Sequence, residues 1–555
     1  MTRSPRLAVG LTTAAVVLGA GLSTAYAASA LDVQANNPQI AKPQVDVTGV
    51  FPNTKQNEPT IAVSPDGVHL VAGSNDEQEQ PNCGPGPRRG PTAPTNDCSF
   101  FPGVGTDGVY VSSNGGRSWT NTGLIDRQRA WLSSPFVSDG DPVVAFGPGP
   151  DGHGGFTALK QRVYYQSLAS YKAGQSPFNG GSGGSETIVI SHSDDDGLTW
   201  SAPVIAGPRP NPITFNDKNA MAVDDNPGSP FFGRVYSSWT SFRSATATGN
   251  GNEPVLTAYS PDGGATFSAP KQLSPAGNNS TGNGRQGSAV ATTPDGTAMV
   301  AFEQGAAQVV AVSRDGGVRW SRPRVIGPVA DIPDPIPGAN FRTDSFASLS
   351  GDPSVRAGGV VYASWVTRTA TGADVVLYKT VNHGVSWTKQ RTLYSGSTAT
   401  GYPFFQGMDV APNGRVDVAW QALKTLHPET FGTGNASIDA YYAGAGGLVK
   451  VSSHSSDPAA SAQNNLQRQF WGDYNTLAST NAGAWFISTD SRNGNGCPEV
   501  DAYQGFLVSS GAVVEGEERE AAAADAGADG DKPSPSTDCP AGFGDTDAFV
   551  AVITP

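Results

Sequence analysis

Ser112-Ser-Asn-Gly-Gly-Arg-Ser-Trp119 and Ser193-Asp-Asp-Asp-Gly-Leu-Thr-Trp200 share one pattern, Ser/Thr-x-Asp/Asn-x-Gly-x-x-Trp/Phe. It returns in Ser260-Pro-Asp-Gly-Gly-Ala-Thr-Phe267, Ser313-Arg-Asp-Gly-Gly-Val-Arg-Trp320 and Thr380-Val-Asn-His-Gly-Val-Ser-Trp387. The chemistry suits a tight β-hairpin turn: Asp or Asn folds its side chain onto turn amides, and Gly accepts a positive φ. The closing aromatic is placed to pack between neighbouring sheets. Recurrence at intervals of roughly 50–80 residues marks a repeat architecture.

This octapeptide resembles the Asp-box, and the chain is similar to the sialidase-like (BNR-repeat) β-propellers. The resemblance implies an all-β propeller with each box on the outer rim of a blade, away from any ligand. Around the boxes one unit recurs: a polar opening, an apolar strand, an Asp-Gly-like turn and a second strand ending in an aromatic. The units open at Glu58, Asp141, Asp217, Arg285, near Arg342-Thr-Asp344, near Gln406 and at Trp471-Gly-Asp-Tyr474. The last two lack a clear box. Seven units predict seven four-stranded blades; a six-bladed ring, as in the sialidases, is the alternative. An N-terminal strand is expected to pair with the last blade and so remove an open edge.

The composition agrees. The 555 residues include 69 Gly and 43 Pro with 37% hydrophobic residues, which suits many short strands. A formal net charge of −14 argues against a nucleic-acid partner, since phosphate binding needs a basic surface. Arg3 and Arg6 precede an apolar stretch from Leu7 to Leu22, and Ala25-Tyr-Ala27 offers a small-x-small cleavage site. Residues 1–27 therefore read as a secretory signal peptide and the protein as secreted, with no membrane span in the mature chain. Residues 28–57 read as an extended lead-in, with a strand at Val45–Val50, and 58–555 as the propeller. A low-complexity acidic loop at 511–538, with a short helix at Glu515–Ala524, interrupts it.

Four cysteines fall in two local groups, and export with an even count implies disulfides. The expected pairs are Cys83–Cys98 and Cys497–Cys539. No CxxC, HExxH or EF-hand-like loop appears, so no metal and no cofactor is expected, with a Ca²⁺ ion among the acidic turns left open. Gly180-Gly-Ser-Gly-Gly184 matches GxSxG but lacks the strand–turn–helix context of a nucleophile elbow.

In a propeller, the innermost strands start at one end of a central channel, so residues at their openings converge. Here the openings supply Glu58, Asp141, Asp217, Lys218, Arg285, Arg342, Asp344, Gln406, Asp473 and Tyr474. Carboxylates gathered in a cleft shift one another's pKa values. The resemblance to sialidases implies three arginines on a substrate carboxylate, a Tyr nucleophile with a Glu assisting, and an Asp acid/base, a departure from the two-carboxylate glycosidase scheme. It puts Tyr474 forward as nucleophile with Asp473 adjacent, and Asp141 or Glu58 as acid/base. Arg285 and Arg342 would bind substrate, with Lys218, Asp217 and Asp344 beside them. Trp471, Tyr402 and Phe404 are candidates to stack on sugar or to pack between blades. The Phe/Tyr-Arg-Ile-Pro segment of sialidases is missing and no third arginine is evident; Arg492 follows the inner strands. The expected function is a secreted exo-α-sialidase-like glycoside hydrolase acting on a glycan or glycoconjugate as a monomer. The alternative is a non-catalytic propeller that binds a glycan or protein.

Overall fold

The five repeated turns fold as their chemistry requires. In the second, Ser193 Oγ donates to Asp195 Oδ1 at 2.7 Å and accepts from Gly197 N at 2.9 Å. Asp195 Oδ1 also accepts from Thr199 N at 2.9 Å, and Trp200 Nε1 donates to the Gly197 carbonyl at 3.0 Å. The first and fourth turns repeat all four bonds. Each turn joins the third strand of a sheet to its fourth.

The computed structural model describes residues 29–37, 55–77, 105–172, 186–209, 214–243, 252–275, 286–464, 466–510 and 535–555, with 175, 211 and 533. Among these, seven antiparallel sheets of four or five strands form a seven-bladed β-propeller. Blade 1 comprises Gln56–Val63, Leu70–Asp76, Asp107–Ser112 and Thr120–Leu124. Blade 2 comprises Val143–Pro150, Phe156–Tyr171, Thr187–Ser193 and Val204–Ile205, with Phe136–Ser138 added beside the long second strand. Blades 3 to 6 begin with inner strands Thr214–Val223, Ala289–Thr292, Ser348–Gly351 and Tyr402–Val410. Blade 7 has Thr476–Ser479 innermost, then Ala484–Asp490 and Asp547–Thr554. Its outermost strand is Ser29–Gln34, which pairs antiparallel with Asp547–Thr554 from Ser29↔Thr554 to Gln34↔Phe549. This is the expected ring closure, and it explains why blade 7 has no repeated turn: its third and fourth strands lie at opposite ends of the chain. Blade 6 instead turns tightly between Ala436–Gly444 and Gly447–Lys450.

The core lies between blades. Seven apolar clusters each combine side chains from two adjacent blades and together close the ring. The aromatics ending the repeats join them: Trp200 packs with Val71 and Val111 of blade 1, and Trp119 with Trp485 of blade 7. Polar staples add to this. Trp485 Nε1 donates to the Gly115 carbonyl at 3.0 Å, Arg162 to the Gly263 carbonyl at 3.0 Å, and Arg234 to the Gly316 carbonyl. Each fastens one blade to the repeated turn of the next.

A helix at Pro498–Ser510 was not expected from the sequence. It sits on blade 7's insertion, where Val500 packs with Leu466 and Phe543. The expected Cys497–Cys539 disulfide is present. Cys83, Cys98, Arg285, residues 1–28, the Val45–Val50 strand and the Glu515–Ala524 helix lie outside the described residues. Among the described residues, no helix is long and apolar enough to cross a membrane.

Candidate functional site

The inner strands do not enter the channel as plain strands. Three carry a bulge near their start, between Asn57 and Thr60, Asp217 and Ala220, and Phe404 and Gly407. A left-handed residue sits at or near the opening of six of the seven: Glu58 (φ 53°), Asp141 (φ 54°), Lys218 (φ 51°), Gly287 (φ 64°), Phe405 (φ 45°) and Gly472 (φ 85°). For a non-glycine residue this conformation is strained, and such strain concentrates where a side chain must be aimed. Here it turns Glu58, Asp141 and Lys218 toward one another. Gly472 is required at its place: a Cβ there would lie 2.6 Å from Glu58 Cγ and 2.9 Å from Glu58 N.

The result is one network at the channel mouth. Arg342 forks onto Asp473, Nε to Oδ1 at 2.6 Å and Nη2 to Oδ2 at 2.9 Å, and also reaches Glu58 Oε1 at 3.4 Å. Lys218 Nζ holds the same Asp473 carboxylate. Asn75 Nδ2 donates to Glu58 Oε2 and to Asn57 Oδ1, each at 2.8 Å, while its Oδ1 accepts from Asp141 N at 3.2 Å. The Tyr474 hydroxyl donates to Asp141 Oδ1 at 3.2 Å. Phe470 lies beneath Arg342, with the guanidinium carbon 5.0 Å from its ring centre. Tyr474, Asp473 and Lys218 line a cavity of about 560 Å³ that runs along the inner strands. Glu58 and Asp141, only 1% and 4% exposed, stand behind them.

The electrostatics separate the two carboxyls. Burial alone would raise Glu58, but the charges of Lys218 and Arg342, with hydrogen bonds from Asp141 and Asn75, hold it below its ordinary value. Asp141 is pushed well above the carboxylate range by burial and by the neighbouring Glu58 and Asp217 charges. Glu58 is thus the ionised member and Asp141 the protonated one. Tyr474 is likewise raised well above its ordinary value, by burial and then by Asp141, Glu58 and Asp217. Neighbouring carboxyls whose proton affinities are driven apart are an arrangement suited to acid–base chemistry.

Of the sequence-proposed site residues, Glu58, Asp141, Asp217, Lys218, Arg342, Asp473 and Tyr474 are brought together. Asp473 faces Arg342 and Lys218, and the carboxyl that meets Tyr474 is that of Asp141. Asp344 lines the same cavity outside this network, and its carboxylate gathers with Glu303 and Asp331. Gln406 turns its amide to the Phe346 and Ser364 carbonyls at 2.7 and 3.1 Å, securing adjacent strands. Trp471, Tyr402 and Phe404 are not sugar platforms. They are buried between blades 5 and 6, and Trp471 Nε1 donates to Gln421 Oε1 at 2.8 Å. Arg492 is held by Asp32 at 2.7 Å and Asp490 at 2.5 Å and covers the Phe549 ring, so it fastens the last blade. Sequence reasoning missed Asn75. The signal was the hairpin itself: Asn75, the last residue but one of the second strand of blade 1, lies directly opposite Asn57.

No family model matches the chain, and no curated protein matches it. Solved structures similar to it include a Hadza microbial sialidase, 16% identical over 67% of this chain and 66% of that one, with a TM-score of 0.40. The leech intramolecular trans-sialidase complexed with 2,7-anhydro-Neu5Ac is 12% identical over 70% and 67% of the two chains, TM-score 0.41. Penicillium chrysogenum α-L-arabinanase complexed with arabinobiose is 13% identical over 76% and 98%, TM-score 0.39. The chain spans 66% of the length of the first of these.

Proposed function

We propose that this chain is an exported, sialidase-like glycoside hydrolase whose reacting group is Tyr474 at the mouth of the propeller channel. The observation that carries this reading is that Tyr474 lines the cavity and its hydroxyl meets a carboxyl pair whose proton affinities are split. As the Tyr474 oxygen bonds to the anomeric carbon, its proton passes to Asp141 Oδ1, and the proton of Asp141 passes to Glu58. Two adjacent carboxylates are never created. The glycosidic bond breaks, and the leaving oxygen takes a proton from channel water. The hydroxide left by that water attacks the glycosyl–tyrosine bond, and Tyr474 recovers its proton from the pair. Glu58 is suited to receive the proton because it is ionised at rest. The repeated turns, read as Asp-boxes, and residues 1–27, read as a leader, support a secreted propeller of this kind.

Hydrolysis of a fluorogenic α-sialoside by the purified mature protein tests the reading, with Tyr474→Phe and Asp141→Asn alongside. Turnover by the wild type that both variants lose by about 100-fold or more is the expected result.

One observation favours a second reading. Arg342 and Lys218 are already engaged by Asp473, so a substrate carboxylate must displace a protein one. A propeller that binds a neutral glycan or a protein needs no such exchange. A folded wild-type protein with no turnover, but with retention on a glycan array, selects that reading.

A further inference from the structure

Where blade 4 hands the chain to blade 5, three carboxylates converge. Glu303 ends the second strand of blade 4, Ala298–Glu303; Asp331 lies in the connecting segment; Asp344 precedes the inner strand of blade 5. One oxygen from each lies within 4.8 Å of the other two, and among the described residues no other three acidic, His or Cys groups do so. Oxygens on a coordination sphere of about 2.4 Å radius are at most about 4.8 Å apart, so the trio meets the geometry of Ca²⁺.

A second observation points to the same place. Gln308 faces Glu303 across the strand pair, so both side chains lie on one face of the sheet. Gln308 is fully buried, and its Nε2 donates to Glu303 Oε2 at 3.2 Å and to the Ser345 carbonyl at 2.9 Å. Its Oε1 has no hydrogen-bond partner. A buried acceptor left without a donor costs free energy that a cation or an ordered water recovers. Three carboxylates, with the Gln308 amide against Glu303 and Arg368 as the cation acting on Asp331, form a set that suits a hard divalent ion and lacks the His or thiolate ligands typical of zinc.

We propose that Glu303, Asp331 and Asp344, with Gln308 Oε1, bind one Ca²⁺ ion. The ion ties the segment between blades 4 and 5 to the sheet behind it. Because Asp344 lines the channel cavity, it also places a positive charge on the cavity wall, two residues from Arg342. The site stands whether or not Tyr474 cleaves a glycan.

The test is titration calorimetry of the full-length protein after chelation and dialysis, with CaCl₂ and with MgCl₂ as separate titrants. Thermal melts are run on the same samples. Saturable binding of one Ca²⁺ per chain, weaker Mg²⁺ binding and a Ca²⁺-dependent rise in Tm are expected. Glu303→Gln and Asp331→Asn should each weaken Ca²⁺ binding at least tenfold, and Asp151→Asn, on the exposed hairpin of blade 2, should leave it unchanged. Asp331 is exposed, so its variant keeps the fold even where the Glu303 change does not. No saturable Ca²⁺ binding by the wild type, Mg²⁺ binding as tight as Ca²⁺ binding, or undiminished binding in Asp331→Asn would overturn the proposal.

Discussion

The Tyr474 hydroxyl lies 3.2 Å from Oδ1 of Asp141, although 333 residues separate the two in the chain. Blade 7 supplies one and blade 2 the other, and blade 1 lies between them with Glu58. The contact exists only because the ring is closed.

Tyr474→Phe removes one hydroxyl and leaves the ring in place. Turnover should fall by about 100-fold or more, while the Tm moves little, since one lost hydrogen bond of this kind is worth about 1 kcal/mol. Parallel kinetics and thermal melts check it; equal losses in both would assign Tyr474 a purely structural role.

Arg342→Ala should cost about 3 kcal/mol, because it strips Asp473 and Glu58 of a buried partner and leaves their charges uncompensated. Adding Asp473→Asn should recover part of that loss. Urea denaturation of the wild type, both single variants and the double variant gives the coupling, and strict additivity would show that the pair does not interact.

Stability should fall between about pH 4 and pH 7. Burial, opposed by a hydrogen bond from Ser170, raises Asp139 to about 7, and burial raises Asp409 to about 7 and Asp126 to about 6. The folded state therefore keeps protons that the unfolded chain has released, so this contribution is full below the unfolded pKa values and is lost as pH rises through the folded ones. Glu58 acts in the opposite sense, losing its contribution as pH falls below its ordinary value. Urea midpoints from pH 4.5 to 8 read the slope, and a midpoint rising across that range would contradict these shifts.

Replacing Cys497 and Cys539 by Ala opens a loop with a sequence separation of 42. The chain-entropy argument puts the cost at up to about 4 kcal/mol. Because the loop carries the Pro498–Ser510 helix and not an inner strand, hydrogen exchange should rise in that helix and stay low in Thr476–Ser479. Uniform loss of protection would mean that the disulfide supports the whole ring.

Gly197→Ala tests the repeated turns. Gly197 has φ +89°, and an added Cβ would meet Val71 Cγ2 at 2.8 Å and Val111 Cγ1 at 3.0 Å across the blade boundary. A loss of about 2 kcal/mol is expected in chemical denaturation, from strain at the turn and overpacking of the neighbour.

The architecture was legible because Ser193, Asp195, Gly197 and Trp200 each have a fixed task in a turn that occurs five times. The site was legible to the extent that it sits at equivalent places in the repeat, as Glu58, Asp141, Lys218 and Asp473 do. Asn75 belongs to the end of a second strand, and Glu303 and Asp331 to a strand end and a connecting segment, so no repeat brings them to notice. Trp471, Tyr402 and Phe404 carry the same side chains whether exposed or packed, and only the inter-blade geometry distinguishes the cases. The helix Pro498-Glu-Val-Asp-Ala-Tyr-Gln-Gly-Phe-Leu-Val-Ser-Ser510 has a glycine in its interior and a weak apolar stripe, so its pattern does not announce it.

The left-handed openings of the inner strands set a trade between comfort and purpose. At Glu58, Asp141 and Lys218 the backbone adopts a shape that glycine would hold without penalty, yet each keeps a charged side chain. Glycine at these places would relax the main chain while emptying the channel mouth. Selection for ruggedness alone would therefore drift toward a sturdier ring with an emptied channel mouth, and each charge held at these awkward angles is carried at a cost in backbone strain.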